Sequence, residues 1–288
     1  MNTSQVAVVI PCYNSTTTIG NVVADVKKYI SDIIVVNDGS QDQSAEYASK
    51  SGAIVLSLDK NKGVGKATQA GIQIALEMKK EIIITLDADA AHNPANISDL
   101  LKHHLSSDYV LTIGNRWHNY NVHISSQKWW ANQFASTLIN RISSTRIPDV
   151  ACGFRVFNRE FAEHLVNSSM ADGFGFIYQQ IFIANKLGQI GFAPIDVRYD
   201  ANFLLATKQH ELIHLLEISQ KYCSDTDLQG VIKKIVKEAT LLKKLNFKLR
   251  NKNCINYIVL HPLINQQSYL FQWQHPDFVT KIANLYEI

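Results

Sequence analysis

The sequence predicts an α/β protein built around a mostly parallel β-sheet with helices on both faces. In the first half of the chain, short apolar segments rich in Val and Ile alternate with longer segments of helical periodicity. The apolar segments are continuous runs rather than alternating patterns, which is typical of strands buried on both faces of a parallel sheet. Polar loops, some of which contain glycine, separate the segments. These observations favour strand–helix–strand units with right-handed crossovers.

The strands and helices of the first half follow from these patterns. Pro11 is expected to end the first strand, and Asn37-Asp38-Gly39-Ser40 is a strong turn signal after the second strand. The elements predicted in chain order are a strand at 6–10, a helix at 18–30, a strand at 32–36, a helix at 44–51, a strand at 53–58, a helix at 67–79 and a strand at 82–86.

The second half of the chain is less regular, and residues 150–157 are expected to be irregular around Gly153. Pro194 places the last predicted strand near an edge of the sheet. Beyond about residue 203 the pattern changes to amphipathic helices. We therefore predict one domain at 1–205 and a mainly helical region at 206–288. The elements predicted here are a helix at 97–105, a strand at 109–113, a helix at 129–142, a strand at 190–199 and helices at 211–219 and 228–245.

Composition and charge exclude several classes of protein. The chain has 288 residues, of which 46% are hydrophobic and 18% are charged, so it has the composition of an ordinary globular protein. A net charge of +3 is too small to indicate a nucleic-acid partner. No apolar run approaches the ~18 residues of a membrane span, and we see no signal peptide. The four cysteines are widely spaced, which favours a reducing, cytoplasmic location.

Two carboxylates at the end of an apolar run are the strongest functional signal. Asp87 and Asp89 follow the predicted strand at 82–86, and side chains two residues apart on an extended strand point the same way. Two like charges held close together are costly unless a cation lies between them. The pattern therefore predicts a divalent metal site that handles phosphate. The alternative is an ordinary turn at the strand end, because Asp is common in turns.

Polar loops follow each of the first four predicted strands. In a parallel sheet the carboxyl ends of these strands meet at one edge, where open α/β sheets bind ligands. A crevice of this kind with a carboxylate pair in its floor suits a nucleoside diphosphate bridged by a metal ion. The loops are Pro11 to Asn14, Asn37 to Ser40, Asn61 to Lys66 and Asp87 to Asp89.

Five short motifs, in this order and spacing, resemble those of the family 2 glycosyltransferases. They are V-V-I-P-C-Y-N from Val8, V-V-N-D-G-S-x-D from Val35, N-x-G-x-G-K-A from Asn61, L-D-A-D from Leu86 and C-G-F-R from Cys152. The resemblance covers roughly residues 5 to 200. It implies the GT-A fold for a catalytic domain at 1–205, and the subgroup that looks most similar makes polyprenyl-phosphate sugars.

The resemblance also implies roles for individual residues. Asp87 and Asp89 match the D-x-D pair, which holds Mg²⁺ or Mn²⁺ on the donor pyrophosphate. Arg116 and Arg155 match basic positions near the donor and the acceptor, and Asp149 matches the acid before G-F-R; these three are the implied catalytic residues. The residues implied to lie at the donor nucleotide are Pro11, Tyr13, Asn14, Asp38, Asn61, Gly63, Lys66, Asp87 and Ala88.

The chain departs from the family pattern at several positions that bear on metal preference and on the acceptor. Many relatives have a Gln where this chain has Ala91. For the next residue, His92, a role in the site and a solvent-facing loop position are both open. Asn37 stands in place of an acid, Ser15 in place of Glu, and the segment around Tyr178 lacks an acidic residue that relatives often carry. A catalytically silent nucleotide-sugar-binding module is therefore an alternative to an enzyme.

The expected activity is metal-dependent, inverting transfer of a sugar from a UDP- or GDP-sugar. A polyprenyl phosphate acceptor is already ionised and needs only cations, whereas a saccharide or protein hydroxyl needs a general base, for which Asp149 is the candidate. The sequence permits both acceptors. Because polyprenyl phosphates lie in membranes, the enzyme would associate with the cytoplasmic face, and the basic stretch at 228–252 is the candidate for peripheral contact. The alternative for that stretch is a core-packing helix with a solvated lysine face.

Overall fold

A computed structural model of the chain describes residues 3–118, 126–197, 209–234 and 236. The chain divides into two compact units, Met1–Thr207 and Lys208–Ile288. In the described part of the first unit, seven strands form one sheet. These strands are β1 (Val6–Cys12), β2 (Asp32–Asn37), β3 (Ile54–Ser57), β4 (Ile82–Thr85), β5 (Tyr109–Asn115), β6 (Arg155–Asn158) and β7 (Gln189–Pro194).

The sheet is mostly parallel, as the sequence predicts. Its strand order is β3-β2-β1-β4-β6-β5-β7. The strands β1, β2, β3 and β4 are mutually parallel neighbours, and β5 is parallel to β7. Only β6, among the described strands, runs antiparallel to its neighbours β4 and β5. The carboxyl ends of the first four strands therefore lie at one edge of the sheet.

Helices cover both faces of this sheet. Val6 to Ile10 of β1 are buried one after another, and because successive side chains point to opposite faces, both faces must be covered. The prediction of helices on both faces is therefore confirmed. The helices of the first unit are α1 (Ile19–Val26), α2 (Ser44–Lys50), α3 (Val64–Glu77), α4 (Ile97–His104), α5 (Ser126–Ser143), α6 (Arg159–Asn167) and α7 (Gly175–Leu187).

Two details of the strand predictions are wrong. Pro11 does not end β1, which continues to Cys12, because an extended backbone accommodates the fixed φ of proline. The segment at 150–157 is not irregular throughout, because β6 begins at Arg155. This four-residue strand lies between β4 and β5, and only those neighbours stabilise so short an extended segment. The prediction that Pro194 lies near an edge is confirmed, because β7 is an edge strand.

Two helices were not predicted, for different reasons. Helix α6 does carry a sequence signal, because the Asn158 side chain accepts a hydrogen bond from the Phe161 backbone N–H and caps its start. Helix α7 has no polar face in its first half, since every residue from Gly175 to Ile181 is buried. A helix buried on all sides lacks the periodicity on which a sequence prediction depends.

The second unit is described only in part. Helix α8 spans Gln209–Tyr222, a longer range than the predicted 211–219, and residues 226–234 are also helical. Most of the predicted helix at 228–245, and most of the basic stretch at 228–252, lie outside the described residues. No helix in the described part of the chain is both long enough and apolar enough to cross a membrane. The division of the chain into domains at 205/206 stays a prediction.

Candidate functional site

The loop after β1 is joined to the loop after β2 by hydrogen bonds from backbone N–H groups to side-chain oxygens. The Asn14 N–H donates to Ser40 Oγ at 2.9 Å, and the Gln41 N–H donates to Asn14 Oδ1 at 3.0 Å. Asn14 has a left-handed backbone with φ of 49°, which asparagine tolerates better than most residues. Tyr13 lies next to it and is 48% exposed, so its ring is available to a ligand.

Asp38 fixes the loop after β3. Its side chain is buried, and its two carboxylate oxygens accept hydrogen bonds from the Lys62 N–H at 2.7 Å and from the Gly63 N–H at 2.9 Å. Gly63 needs its glycine, because its φ of 89° is left-handed. Asp38 therefore acts on the shape of the loop that follows β3. Its expected contact with the donor base stays a prediction.

The rest of the glycine-containing loop leads into α3. Asn61 Oδ1 accepts a second hydrogen bond from the Gly63 N–H at 3.1 Å, and Lys66 lies half-buried in the first turn of α3. A Cβ atom on Gly65 would lie 2.8 Å from Phe176 Cβ, so this turn packs tightly against the start of α7. The loop is thus held both by Asp38 and by α7, in a position next to the loops after β1 and β2.

The carboxylate pair lies in a turn rather than on a strand. Strand β4 ends at Thr85, and Ala90 has a left-handed φ of 63°. Asp87 and Asp89 therefore lie beyond the strand, and strand geometry does not make their side chains point the same way. The turn is held by the Ala91 N–H, which donates to Asp89 Oδ1 at 3.0 Å. It is joined to the start of α1 by Thr18 Oγ1, which donates to the Ala88 carbonyl at 2.7 Å. The four loops predicted to converge at the sheet edge are therefore connected to one another.

Asp87 is closely surrounded by protein but still reaches solvent. Protein surrounds it closely enough that burial raises the pKa of its carboxyl, while the charges of Arg116 and Arg155 act to lower it. Even so, 39% of its side-chain surface is accessible to solvent. A Cβ atom on Gly153 would lie 2.6 Å from Asp87 Oδ2, so the backbone of C-G-F-R lies directly against this carboxylate. Thr85 Oγ1 holds that backbone in place by donating to the Gly153 carbonyl at 2.7 Å.

His92 is buried beneath the carboxylate and does not face solvent. Its Nδ1 lies 3.5 Å from Asp87 Oδ2, and its Nε2 lies 3.7 Å from Cys152 Sγ. Burial lowers the pKa of His92 to about 4, and the charge of Arg116 acts in the same direction. Burial also raises the pKa of the Cys152 thiol to about 12. At neutral pH both side chains are therefore uncharged, and Cys152 is a thiol rather than a nucleophilic thiolate.

Asp149 is paired with Arg116 in a two-pronged ion pair. Arg116 Nε donates to Asp149 Oδ2 at 2.7 Å and Arg116 Nη2 donates to Oδ1 at 2.8 Å, while Asn132 Nδ2 donates to Oδ1 at 2.8 Å. Burial would raise the pKa of Asp149, but Arg116 and Asn132 hold it below its ordinary value. A fully buried carboxylate with these partners is a poor proton acceptor, which argues against Asp149 as a general base.

Arg155 supports the site from inside the protein. It is 1% exposed, and burial lowers its pKa to about 10, so it stays charged at neutral pH. This placement argues against the expected contact of Arg155 with phosphate, because its donors are engaged by the protein. They bind the carbonyls of Cys152 at 2.8 Å, Val150 at 2.7 Å and Ile177 at 2.8 Å, and Gln180 Oε1 at 3.0 Å.

Sequence reasoning missed three contributors to this site. They are Thr18, Asn132 and Gly153, whose contacts with the site join positions that are distant in sequence, and so no local pattern marks them. Gly153 had a partial signal, since a glycine within C-G-F-R indicates either a turn or a close backbone approach. Ala88, by contrast, lies in one of the joined loops as expected, and Pro11 lies in the last part of β1 just before its loop. Their contact with a nucleotide stays a prediction.

The Asp87 carboxylate fits a hard divalent cation that is shared with a ligand. Within the described residues, no group of three or more His, Cys, Asp and Glu side chains is arranged to hold a metal ion. Mg²⁺ needs no such group, because it keeps several waters and binds through one or two carboxylates plus substrate phosphates. Asp87 offers an accessible carboxylate with a raised pKa, a state that a bound cation would relieve.

Comparison with known proteins agrees with the fold and the motifs. The profile of Glycosyl transferase family 2 matches residues 7–166. A protein of Methanocaldococcus jannaschii is 33% identical over 232 residues, which cover 74% of this chain and 95% of that protein. The UDP-N-acetylglucosamine–dolichyl-phosphate N-acetylglucosaminyltransferase of Methanococcus voltae is 28% identical over 213 residues, which cover 66% of this chain and 84% of the relative.

Solved structures agree with the fold. The crystal structure of glucosyl-3-phosphoglycerate synthase from Mycobacterium tuberculosis, in complex with Mn²⁺ and UDP-glucose, superposes with a TM-score of 0.60 at 19% identity. The match covers 77% of this chain and 80% of that one. The predicted GT-A fold and the resemblance to polyprenyl-phosphate glycosyltransferases are confirmed. The chain belongs to glycosyl transferase family 2.

Proposed function

We propose that this chain transfers a sugar from a UDP- or GDP-sugar to a polyprenyl phosphate, with inversion at the anomeric carbon. The observation that carries the proposal is Asp87, a carboxylate surrounded by protein yet 39% accessible, at the edge where the four loops meet. Asp87 and Asp89 would hold Mg²⁺ or Mn²⁺ on the donor pyrophosphate. Such an ion supplies Lewis-acid stabilisation of the departing nucleoside diphosphate, worth several kcal/mol.

The remaining residues position the donor and shape the site. The loop whose shape Asp38 fixes contains Gly63, and the lack of a side chain there allows close approach of a phosphate to the backbone. Gly153 leaves room for the Asp87 carboxylate against the backbone. Arg116 lies near enough to lower the pKa of Asp87, so its positive charge acts on the same carboxylate, although its guanidinium is already paired with Asp149.

A phosphate acceptor fits this chain better than a hydroxyl acceptor. Transfer to a hydroxyl needs a base, and Asp149 is fully buried and held in its ionised form by Arg116 and Asn132. An ionised phosphate oxygen attacks without losing a proton. Sequence relatives that are named for transfer to dolichyl phosphate support the same acceptor.

Inversion is proposed because the family resemblance implies it, and Cys152 offers no nucleophile for the alternative, a covalent intermediate. Retention through a covalent intermediate requires an enzyme nucleophile next to the sugar. Cys152 is buried and its pKa is raised to about 12, so it cannot take that role. A single attack by the acceptor on the face opposite the departing diphosphate inverts the anomeric carbon.

The acceptor implies peripheral contact with a membrane. A polyprenyl chain stays in the bilayer, so its phosphate must be reached at the surface. The basic stretch at 228–252 is the proposed contact, and most of it lies outside the described residues. The cytoplasmic face is the proposed location.

The test is a matrix of donors and acceptors with release of nucleoside diphosphate as the readout. UDP- and GDP-sugars are each combined with polyprenyl phosphate in vesicles, with a free saccharide or with no acceptor, in Mg²⁺, Mn²⁺ or EDTA. We expect release only with a polyprenyl phosphate and a divalent cation. Release that needs a saccharide, or that persists in EDTA, would overturn the acceptor or the metal assignment. A protein that binds donor without releasing diphosphate under any condition would be a silent module.

A further inference from the structure

His92 has a buried ring nitrogen that lacks a hydrogen-bond partner among the described residues. That atom, Nδ1, faces Asp87 Oδ2 at 3.5 Å, a distance at the outer limit of a hydrogen bond. The ring is held in place by Phe154, whose ring centre lies 5.6 Å away, and by a backbone bridge from His92 to Val197. The imidazole therefore cannot turn away from the carboxylate without disturbing the protein around it.

The opposite nitrogen of the same ring contacts a thiol. Cys152 Sγ lies 3.7 Å from His92 Nε2 and 3.8 Å from the Phe154 carbonyl, so the single thiol proton has two acceptors within reach. If the thiol donates to Phe154, Nε2 is satisfied only by donating to sulfur, which turns the Nδ1 lone pair toward Asp87. If the thiol donates to Nε2, Nδ1 carries the proton and faces the carboxylate as a donor.

Electrostatics decide between these two arrangements. A lone pair against an ionised carboxylate is repulsive, whereas an N–H group against it makes a charge-assisted hydrogen bond. Both thiol contacts are long and weak, so the contact at Asp87 dominates the choice. We infer that His92 is a positioning residue for Asp87: Cys152 donates to Nε2, which places the imidazole proton on Nδ1, and Nδ1 donates to the carboxylate that faces the donor pyrophosphate.

This inference rests on the proposed function of Asp87 as a metal ligand. Ligating carboxylates are themselves hydrogen-bonded, and loss of such a partner typically costs about 10–100-fold in metal affinity. Cys152 and Gly153 then act on Asp87 from two directions. The backbone of Gly153 restricts the position of the Asp87 carboxylate directly, and Cys152 orients the same carboxylate through His92.

The first test reads the tautomer in the metal-free protein. Nitrogen-15 NMR of the imidazole groups distinguishes a protonated ring nitrogen from an unprotonated one, and a His92→Gln variant assigns the His92 signals. We expect the proton on Nδ1 in the wild-type protein. A proton on Nε2 would overturn the inference, whatever the activity of the enzyme.

The second test exploits the different reach of two amides. The side-chain N–H₂ of Asn takes the place of imidazole Nδ1, whereas that of Gln takes the place of Nε2. Mn²⁺ affinity in the presence of UDP or GDP is measured by electron paramagnetic resonance, and folding is checked by circular dichroism. We expect His92→Gln to lose about 10–100-fold in Mn²⁺ affinity and His92→Asn to stay within about threefold of wild type.

His104→Gln is the matched control, because His104 is also buried but bonds Thr112 Oγ1 at 2.9 Å through its own Nδ1, rather than facing Asp87. Equal Mn²⁺ affinity of His92→Gln and wild type would overturn the inference, as would equal losses in His92→Gln and His92→Asn. Failure of the wild-type protein itself to bind Mn²⁺ with either nucleotide would instead overturn the proposed function. The tautomer measurement needs no metal and separates the two failures.

Discussion

A Cβ atom on Gly153 would lie 2.6 Å from Oδ2 and 2.7 Å from Oδ1 of Asp87. The backbone of one motif, C-G-F-R, thus lies directly against the carboxylate of another, D-x-D, although the two are more than sixty residues apart in sequence. No side chain larger than hydrogen fits between them without moving one or the other. This contact explains why a glycine is needed at this position of the site.

We expect Gly153→Ala to displace Asp87 and to reduce turnover by about 10–100-fold, because misplacement by about 1 Å can cost that much. Gly153 is not among the glycines with a left-handed φ, so its backbone accepts alanine and the effect is steric. Turnover and the melting temperature are measured together. Gly230→Ala is the control, because a Cβ atom there meets nothing within 4 Å. Wild-type turnover in Gly153→Ala would show that the contact is unimportant.

Arg155→Met should act on stability rather than on substrate affinity. The substitution leaves the carbonyls of Cys152, Val150 and Ile177 without their donor, and each buried unsatisfied group costs about 1–3 kcal/mol. We expect the free energy of unfolding to fall by more than about 3 kcal/mol in urea titrations. If the variant instead had wild-type stability and a greatly raised KM for donor or acceptor, the result would support the predicted contact of Arg155 with phosphate.

Asp149→Asn separates a structural role from general-base catalysis. Removal of the buried negative charge leaves Arg116 without its carboxylate, and breaking a buried ion pair costs about 3–5 kcal/mol. We expect lower stability, with an unchanged shape of the pH–rate profile in the folded fraction. If the profile instead lost the ionisation of a basic group while stability stayed intact, Asp149 would be identified as the base, and a hydroxyl acceptor would be favoured.

The buried imidazole of His104 should make the folded protein less stable in mild acid. Burial lowers its pKa to about 4 from an ordinary 6.5, so between these values the unfolded chain binds more protons than the folded one. Stability should therefore fall as the pH drops from 6.5 toward 4, by up to about 2 kcal/mol at pH 5 from this residue. Unfolding in urea at pH 7 and pH 5 measures the change. His104→Gln should lose less stability between the two pH values than wild type; an equal loss would refute the assignment.

The sequence predicted those features that local patterns encode. β-branched runs such as Ile33 to Val36 predict buried strands because they match a parallel sheet covered on both faces. The four loops were predicted to lie at one edge of the sheet because the carboxyl ends of neighbouring parallel strands meet at the same edge. Strand β6 was not predicted, because its pairing with the neighbouring strands β4 and β5 stabilises it rather than the pattern of its own four residues.

The chemistry of single side chains was harder to predict, because it depends on partners that are distant in sequence. Arg155 and Arg116 belong to similar short motifs, yet one is fully buried among carbonyls and the other pairs with Asp149. Burial of His92 beneath Asp87 depends on Phe154 and Cys152, sixty residues away. A sequence names the types of residue available to a site, whereas packing decides which atoms remain available to a ligand.

The most direct test of the account is a double-mutant cycle on Asp87 and Asp89, with release of nucleoside diphosphate in Mn²⁺ as the readout. If both carboxylates hold one cation on the donor pyrophosphate, each single change to Asn should cost at least about 100-fold, since metal stabilisation is worth several kcal/mol. The turnover of the double variant should then lie within about threefold of that of the less active single variant, because the effects of residues that act as a unit are not additive. Multiplicative losses, or single variants near wild-type turnover, would contradict a shared cation.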